Sequence, residues 1–373
     1  MAEITKAELQ LWVYDGAIDS HTYDPQYTLT KSVIGEEKTV TFEISELVKD
    51  YIEIEFNGDY DSLKQSRWVK ARITRTYDND TTDNYSRHYI AYRGYGELVD
   101  GINPELSKDL MISNSVIYTR CNYPISAPFY TGVGGTTKIK YIQDQTELDS
   151  QILGTSENYT IAQEVSLNPP SDNVVTIDKT LSQTSSADSA NSVDEFPAGT
   201  DKITYTTQDN VERSILIKCI DECHYKGDPY KISFINKFGV MQDIWFFGKR
   251  VDSMSATRES YKKTILKTGQ TDASYSMSDH QNVYLENQGK ETFVMNTGFI
   301  DESYNQVIKQ LIVSEYVYIH DQLRRSPTNG FYDLAIPIKV VSDSIQIKTR
   351  RDDKLINYEL QFESDSEFIQ SVR

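Results

Sequence analysis

Residues 67–77, RWVKARITRTY, alternate without a break: Val69, Ala71 and Ile73 fall on one side, Lys70, Arg72 and Thr74 on the other. A period of two over this length fits an extended strand with one buried and one wet face. It excludes an amphipathic helix, whose apolar residues recur every three to four positions. The same pattern opens the chain in AELQLWVYDG, where Leu9, Leu11 and Val13 oppose Gln10, Trp12 and Tyr14. It returns in KITYTT, SILIKCI, YKISFIN, SYKKTILKT, KETFVMNT, EYVYIH, LAIPIKVV, SIQIKT and KLINYELQFE. The chain is therefore expected to be mainly β, with antiparallel sheets. A hydrophobic fraction of only 38%, with 26 tyrosines, suits strands that keep one face in water.

At 373 residues the chain exceeds the usual size of a single hydrophobic core, so two domains are expected. Residues 1–125 read as a β-sandwich, with a long hairpin over 65–100 whose tip is the polar turn YDNDTTDNYS. Within it, Val40, Phe42 and Ile44 alternate before Leu47, Val48 and Tyr51 change to helical spacing, implying a strand and then a short helix. Residues 126–200 connect the halves and end in the polar stretch LSQTSSADSANSVDEFPAGT, so 180–200 read as a loop. Residues 201–373 read as a second β-rich, sandwich-like domain with one helix at 302–312. There Tyr304, Val307, Ile308, Leu311 and Ile312 form a single stripe and Asp301 stands as the N-cap.

Fifty-six acidic against 38 basic residues give a net charge of -18, which opposes binding to nucleic acid or to anionic membrane surfaces. No apolar run reaches the roughly 20 residues of a membrane span, and MAEITKAELQLWVYDG lacks the features of a signal peptide. Folding in a cytosol is expected. Three cysteines, Cys121, Cys219 and Cys223, are then reduced thiols and not a disulfide framework.

The motifs that resemble chemical sites fail on spacing. Cys219, Cys223 and His224 have the wrong interval for a zinc knuckle and no second ligand pair. Asp78 to Asp83 resembles the start of a calcium loop, but the sixth position is not Gly and the twelfth is Tyr89. GVGG at 132–135 leads into a strand, not into a helix N-terminus that could hold phosphate. Carboxylate pairs such as Glu53 with Glu55, or Asp59 with Asp61, arise by chance in an acidic chain, and the five histidines are scattered. Neither metal nor cofactor is expected, and no catalytic residue can be named.

The aromatic segment at 234–250, FINKFGVMQDIWFFGKR, holds Phe234, Phe238, Trp245, Phe246 and Phe247. Alternation sends about half of such residues outward. If Phe234, Phe238 and Phe246 fill the core, Trp245 and Phe247 are left to meet a partner, with Lys249 and Arg250 beside them as the charged rim of a protein interface. The alternative is a carbohydrate-binding surface in which exposed Trp12 and Trp68 stack on sugars.

The stretch ECHYKGDPYKISFINKFGVMQDIWFFGKR, with PIKVVSDSIQIKTRRDDKLINYELQFESD and the N-terminal LQLWVYDG, YTLTK and VTFEISELVKDYI, resembles virion structural proteins of tailed bacteriophages that infect Bacteroidetes. The resemblance touches both ends and the middle of the chain and rests on sequence style, without a catalytic signature. It implies a tail or baseplate component, such as a distal tail-like ring subunit or a fibre-attachment adaptor, assembled in the host cytoplasm and located in the virion. The implied partners are further copies of the same chain in a symmetric ring and neighbouring tail or fibre proteins. A receptor-recognising module of a tail fibre is the alternative that the same resemblance allows.

Overall fold

The computed structural model describes residues 3–14, 21–34, 39–58, 66–101, 109–120, 124–130, 136–154, 174–181, 195–196, 201–206, 210–220, 228–264, 277–325, 333–342, 344–347 and 355–365. The fold is mainly β, and its sheets are dominated by antiparallel pairs. The N-terminal part contains β1 (Ile4–Tyr14), β2 (Tyr27–Ser32), the short helix α1 (Ser45–Lys49), β3 (Ser66–Tyr77) and β4 (Thr82–Tyr92). The middle contains β5 (Asp109–Leu110), β6 (Val116–Arg120), β7 (Pro124–Tyr130), β8 (Thr136–Gln143), β9 (Thr146–Gly154), β10 (Val174–Leu181), β11 (Glu195–Phe196), β12 (Lys202–Thr206) and β13 (Glu212–Ile220). The C-terminal part contains β14 (Tyr230–Ile235), β15 (Met241–Phe246), β16 (Arg250–Lys262), β17 (Asn282–Asn296), β18 (Ile300–Asp301) and the helix α2 (Tyr304–Val313). It ends with β19 (Val317–Arg325), β20 (Asp333–Val340), β21 (Leu355–Ile356) and β22 (Glu359–Ser364).

These strands form sheets ordered β2-β1-β3-β4, β11-β10-β7-β5, β6-β13-β12-β8-β9 and β15-β14-β19-β20-β22-β17-β16, with a small β18-β21 pair. The expected hairpin over 65–100 is β3–β4, in register from Ser66↔Tyr92 to Thr76↔Thr82. At its tip Arg75 makes two hydrogen bonds to the Asp83 carboxylate, at 2.9 and 2.5 Å, and Tyr77 donates a third at 3.1 Å. That carboxylate is held by a cation and a phenol, which is the arrangement of a pinned turn and not of a calcium loop.

Strand pairing and packing cross both expected domain boundaries. β6, from the first 125 residues, pairs in parallel with β13, and β12 pairs with β8. Leu9, Leu11, Val13, Val69 and Ala71 share one core with Ile235, Met241, Tyr318 and Ala335, so the first sheet covers one face of the seven-stranded sheet. Three polar links follow the same seam: Lys49 and Arg93 both meet Glu315, at 2.9 and 2.6 Å, and Tyr318 donates to the Ile54 carbonyl at 3.3 Å. The turn between β14 and β15 lies against residues 93–95, with Tyr95 N–H donating to the Lys237 carbonyl at 2.8 Å. Backbone meets backbone there because Gly94 and Gly239 carry no side chain. A Cβ on Gly239 would come within 2.6 Å of Gly94 N, and Gly239 has φ +79, a left-handed conformation that favours glycine.

Several local expectations change. Residues 39–44 are irregular and not a strand, although Phe42 and Ile44 still pack on the shared core. Residues 344–347 are irregular too. Val174–Leu181 is a strand antiparallel to β7, so the expected loop over 180–200 gives Thr180 and Leu181 to β10 and Glu195 and Phe196 to β11. The helix expected over 302–312 runs from Tyr304 to Val313, with Ser303 at its N-cap position in place of Asp301. Asp301 Oδ1 accepts the Ser303 N–H at 2.9 Å, holding the chain just before the helix. The apolar stripe is as read: Tyr304, Val307, Ile308 and Leu311 are buried and Ile312 packs at its edge.

Candidate functional site

The register of β14 on β15 sorts the aromatic segment. Tyr230, Ile232 and Phe234 lie opposite Phe246, Ile244 and Gln242, sharing a face with Val317 and Ile319 of β19. α2 and the pair Phe293–Phe362 cover that face, with Phe246 edge-on to Phe362 at 5.6 Å. Lys231, Ser233, Asp243 and Trp245 point the other way. That second face is closed as well: the first sheet together with Ile52, Ile54 and Phe56 packs on Ile235, Met241 and Tyr318, with the Phe56 ring 5.8 Å from that of His320, while β6 and β7 lie against β15.

Trp245 and Phe247 are consequently interior, at 4% and 9% exposure, and their rings stack at 6.1 Å. The expectation that they face a partner is corrected here. Alternation does send them away from Phe246, but a sheet sandwiched between two layers has no wet face to receive them. Phe238, expected in the core, is only half-buried, with the Lys237 ammonium 5.3 Å over its ring. The Arg250 guanidinium lies 4.4 Å from the Phe293 ring centroid and 4.9 Å from that of Tyr230, and it pairs with Asp252 at 2.5 Å. Lys249 alone of the four expected interface residues is exposed, Arg250 being half-buried.

Trp12 and Trp68 are also buried, at 8% and 4%. They occupy the face of the first sheet that alternation assigns them, together with Tyr14, but the His21 ring packs against Trp12 and Tyr14 there, at 5.3 and 5.0 Å. The Trp12 indole N–H donates to the Tyr23 carbonyl at 3.1 Å. Neither ring offers a platform on which a sugar could stack, and this corrects the expectation of exposed tryptophans.

On the same strand face as Trp245 lies a polar cluster that sequence reading passed over. Ser233 Oγ is 2.5 Å from Asp243 Oδ1 and 2.6 Å from His320 Nε2, and Lys231 Nζ is 3.7 Å from Asp243 Oδ2. An ionised carboxylate only accepts, so the serine hydroxyl donates to Asp243 and must accept from His320 Nε2–H. His320 is therefore the neutral Nε2-protonated tautomer. Burial, and secondarily the Lys231 cation, hold its pKa well below the ordinary 6.5. A nucleophilic serine would need the reverse arrangement, with its proton aimed at the histidine and the carboxylate behind the ring. With Ser233 and His320 at 0% and 1% exposure, this cluster pairs Ser233, Asp243 and His320 Nε2 with one another inside the protein, leaving His320 Nδ1 buried without a hydrogen bond. Its sequence signal is the polar set Lys231, Ser233 and Asp243 at period two, which reads as a wet face until the second layer is known.

A second network ties the layers together. Asn236 donates to the Met111 carbonyl and to Gln242 Oε1, and Gln242 donates to Asn114 Oδ1 at 2.9 Å. Gln310 of α2 donates to Ser113 Oγ at 2.7 Å and accepts from Lys237 N–H at 3.3 Å.

Other expected motifs resolve as follows. Among the described residues no group of three His, Cys, Asp or Glu could hold a metal ion, and no helix is long and apolar enough to cross a membrane. Glu53 and Glu55 are exposed. Cys121, Cys223, His224, the GVGG turn, Asp59 and Asp61 lie outside the described residues, and Cys219 is described only as backbone in β13.

The surface feature that sequence reading missed is β16. Among the described residues this 13-residue strand pairs with β17 alone, and β17 meets β22 over Thr292–Asn296. From Met254 to Lys262, with Asn282 to Glu291, the two strands run on past that pairing as a ribbon about 30 Å long at the usual rise per residue. Every residue of β16 after Arg250 is exposed, including Val251, Met254 and Tyr261, and so are Tyr284 and Leu285 opposite. Its sequence, RVDSMSATRESYK, lacks the alternation that marks half-buried strands because β16 is exposed on both faces.

No protein-family model matches the chain, and no curated protein and no solved structure matches it.

Proposed function

We propose that this chain is a structural component of a phage virion, a tail or baseplate ring subunit or fibre-attachment adaptor that acts through protein–protein contacts. The observation that carries the reading is the β16–β17 ribbon. An isolated two-stranded hairpin is marginal in water, and an open edge strand of this length pairs readily with another chain, so a monomer that keeps one has a use for it. The mainly-β architecture and the sequence resemblance agree with such a role. The contact surface moves accordingly from Trp245 and Phe247, which hold the interior, to the ribbon, with Lys249 and Arg250 at its root.

The test is proteomic and structural analysis of particles from a phage that encodes the chain, with and without residues 254–290 replaced by a short glycine turn. The reading expects the intact chain in purified particles and the shortened one, still folded, left out of them. Absence of the intact chain from particles, or normal incorporation of the shortened one, refutes it.

A further inference from the structure

The seven-stranded sheet has two edges, and they are treated differently. β15, at one edge, is buried and has β6 and β7 against it; β16, at the other, pairs among the described residues with β17 alone and is exposed from Val251 to Lys262. Open edges are commonly protected by short strands, prolines or inward-pointing charges. β16 has 13 residues, no proline, and a central Ser253–Thr257 stretch of small or flexible side chains without a charge. It also escapes the acidity of the chain: Arg250, Arg258 and Lys262 stand against Asp252 and Glu259, where the whole molecule carries -18.

We propose that β16 pairs antiparallel with β16 of a second copy about a two-fold axis at Ser255, joining two seven-stranded sheets into one continuous sheet. This rests on the reading of the chain as an assembly protein and names the partner of its ribbon. The register follows from charge. Centring on Ser255 sets Asp252 opposite Arg258 of the other copy, and by symmetry does so twice, with Ser253 opposite Thr257 and Met254 opposite Ala256. Shifting the centre by one residue either way, which moves the pairing by two and keeps each residue on its face, sets Arg250 against Arg258 or against Lys262, like charge on like charge. The favoured pairing spans Val251 to Glu259 and ends where the β16–β17 ladder shifts register, between Glu259 and Ser260. Such an irregularity increases local twist and turns the edge away from further pairing. Asp252 is 54% exposed on its side chain and Arg258 is exposed; within one chain Asp252 is held by Arg250 and the Arg258 guanidinium lies 5.6 Å over the Tyr284 ring, so the pair between copies exchanges these exposed contacts for one across the edge.

Sedimentation velocity of the full-length chain across the micromolar range reads the result. A monomer–dimer equilibrium is expected, weakened roughly tenfold or more by Asp252→Arg or by Arg258→Asp, and largely recovered when both changes are made together. Circular dichroism of each exposed-site variant should match the parent. In an independent arm, Ser255→Cys sits opposite its own copy at a Cα separation that a disulfide can span, so oxidation should yield a cross-linked dimer. Glu259→Cys, opposite Val251, should not cross-link. A chain that is monomeric at every concentration, a dimer indifferent to the charge reversals, or equal cross-linking at both positions overturns the pairing. A monomer in solution that is nevertheless present in particles would sink this pairing and leave the structural role standing; absence from particles would sink the role whatever the dimer does.

Discussion

At the scale of single residues, Trp245 and His320 show how one strand face was reassigned from surface to interior. Trp245 fills space between layers, so Trp245→Ala should cost about 3–5 kcal/mol in urea unfolding, as large-to-small core changes do. Lys249→Ala should change stability by no more than about 0.5 kcal/mol, because its side chain stands in water. His320 titrates far below its ordinary 6.5 because charging it would bury a cation beside Lys231. The unfolded chain takes up that proton near 6.5 and the folded one does not, so this residue's contribution is complete above 6.5 and declines as the pH falls below it. Unfolding free energy measured from pH 7 to 5 should fall by up to about 1.4 kcal/mol per pH unit on this account, and His320→Leu should flatten that part of the slope. Glu315 and Asp83, whose pKa values are lowered by their hydrogen bonds to Lys49 with Arg93 and to Arg75, add a separate loss at lower pH, below the ordinary carboxylate range.

At the scale of elements, the β14–β15 turn and the β16–β17 ribbon are opposites. The turn is pinned by Asn236, whose side chain accepts from Phe238 N–H, and by the glycine contact with residues 93–95. Gly239→Ala adds a Cβ to a left-handed residue already against Gly94 and should destabilise by more than about 1 kcal/mol, read from the thermal midpoint. β16 is exposed on both faces, so in dilute protein its amides over 254–262 should exchange much faster than those of 230–235. Equal protection of the two segments in the monomer would contradict the description of the ribbon as unsupported. Strands with one face covered and the other wet over part of their length, such as β1 and β3, announced themselves by alternation; β16, exposed on both faces, did not, and in β14 the strand was legible but its second, covered face was read as wet. The rule that reads sequence into strands assumes one wet face, and it failed where that assumption failed.

At the scale of the molecule, the Trp12–Trp68 cluster lies on the far face of the first sheet. Its other face packs with Val48, Ile52, Ile54 and Phe56, and that core is completed by Ile235, Met241, Tyr318 and Ala335. Residues 1–100 expressed alone should therefore unfold at a lower urea concentration than in the full chain, which should unfold its first and seven-stranded sheets together, followed by tryptophan fluorescence at Trp12 and Trp68 and at Trp245 after single-tryptophan substitution. Independent transitions would show that the shared core contributes little.

The strand content, the β3–β4 hairpin, the Tyr304–Val313 helix and the inward sides of β1 and β3 were determined by sequence alone, because each depends on a periodicity that a neighbouring layer only has to receive. Which faces were covered twice, which not at all, and hence whether Trp245 is a core residue and β16 an open edge, were decided only by tertiary structure. Those outcomes depend on contacts between residues more than a hundred positions apart, and local alternation carries no information about what lies on the far side of a sheet.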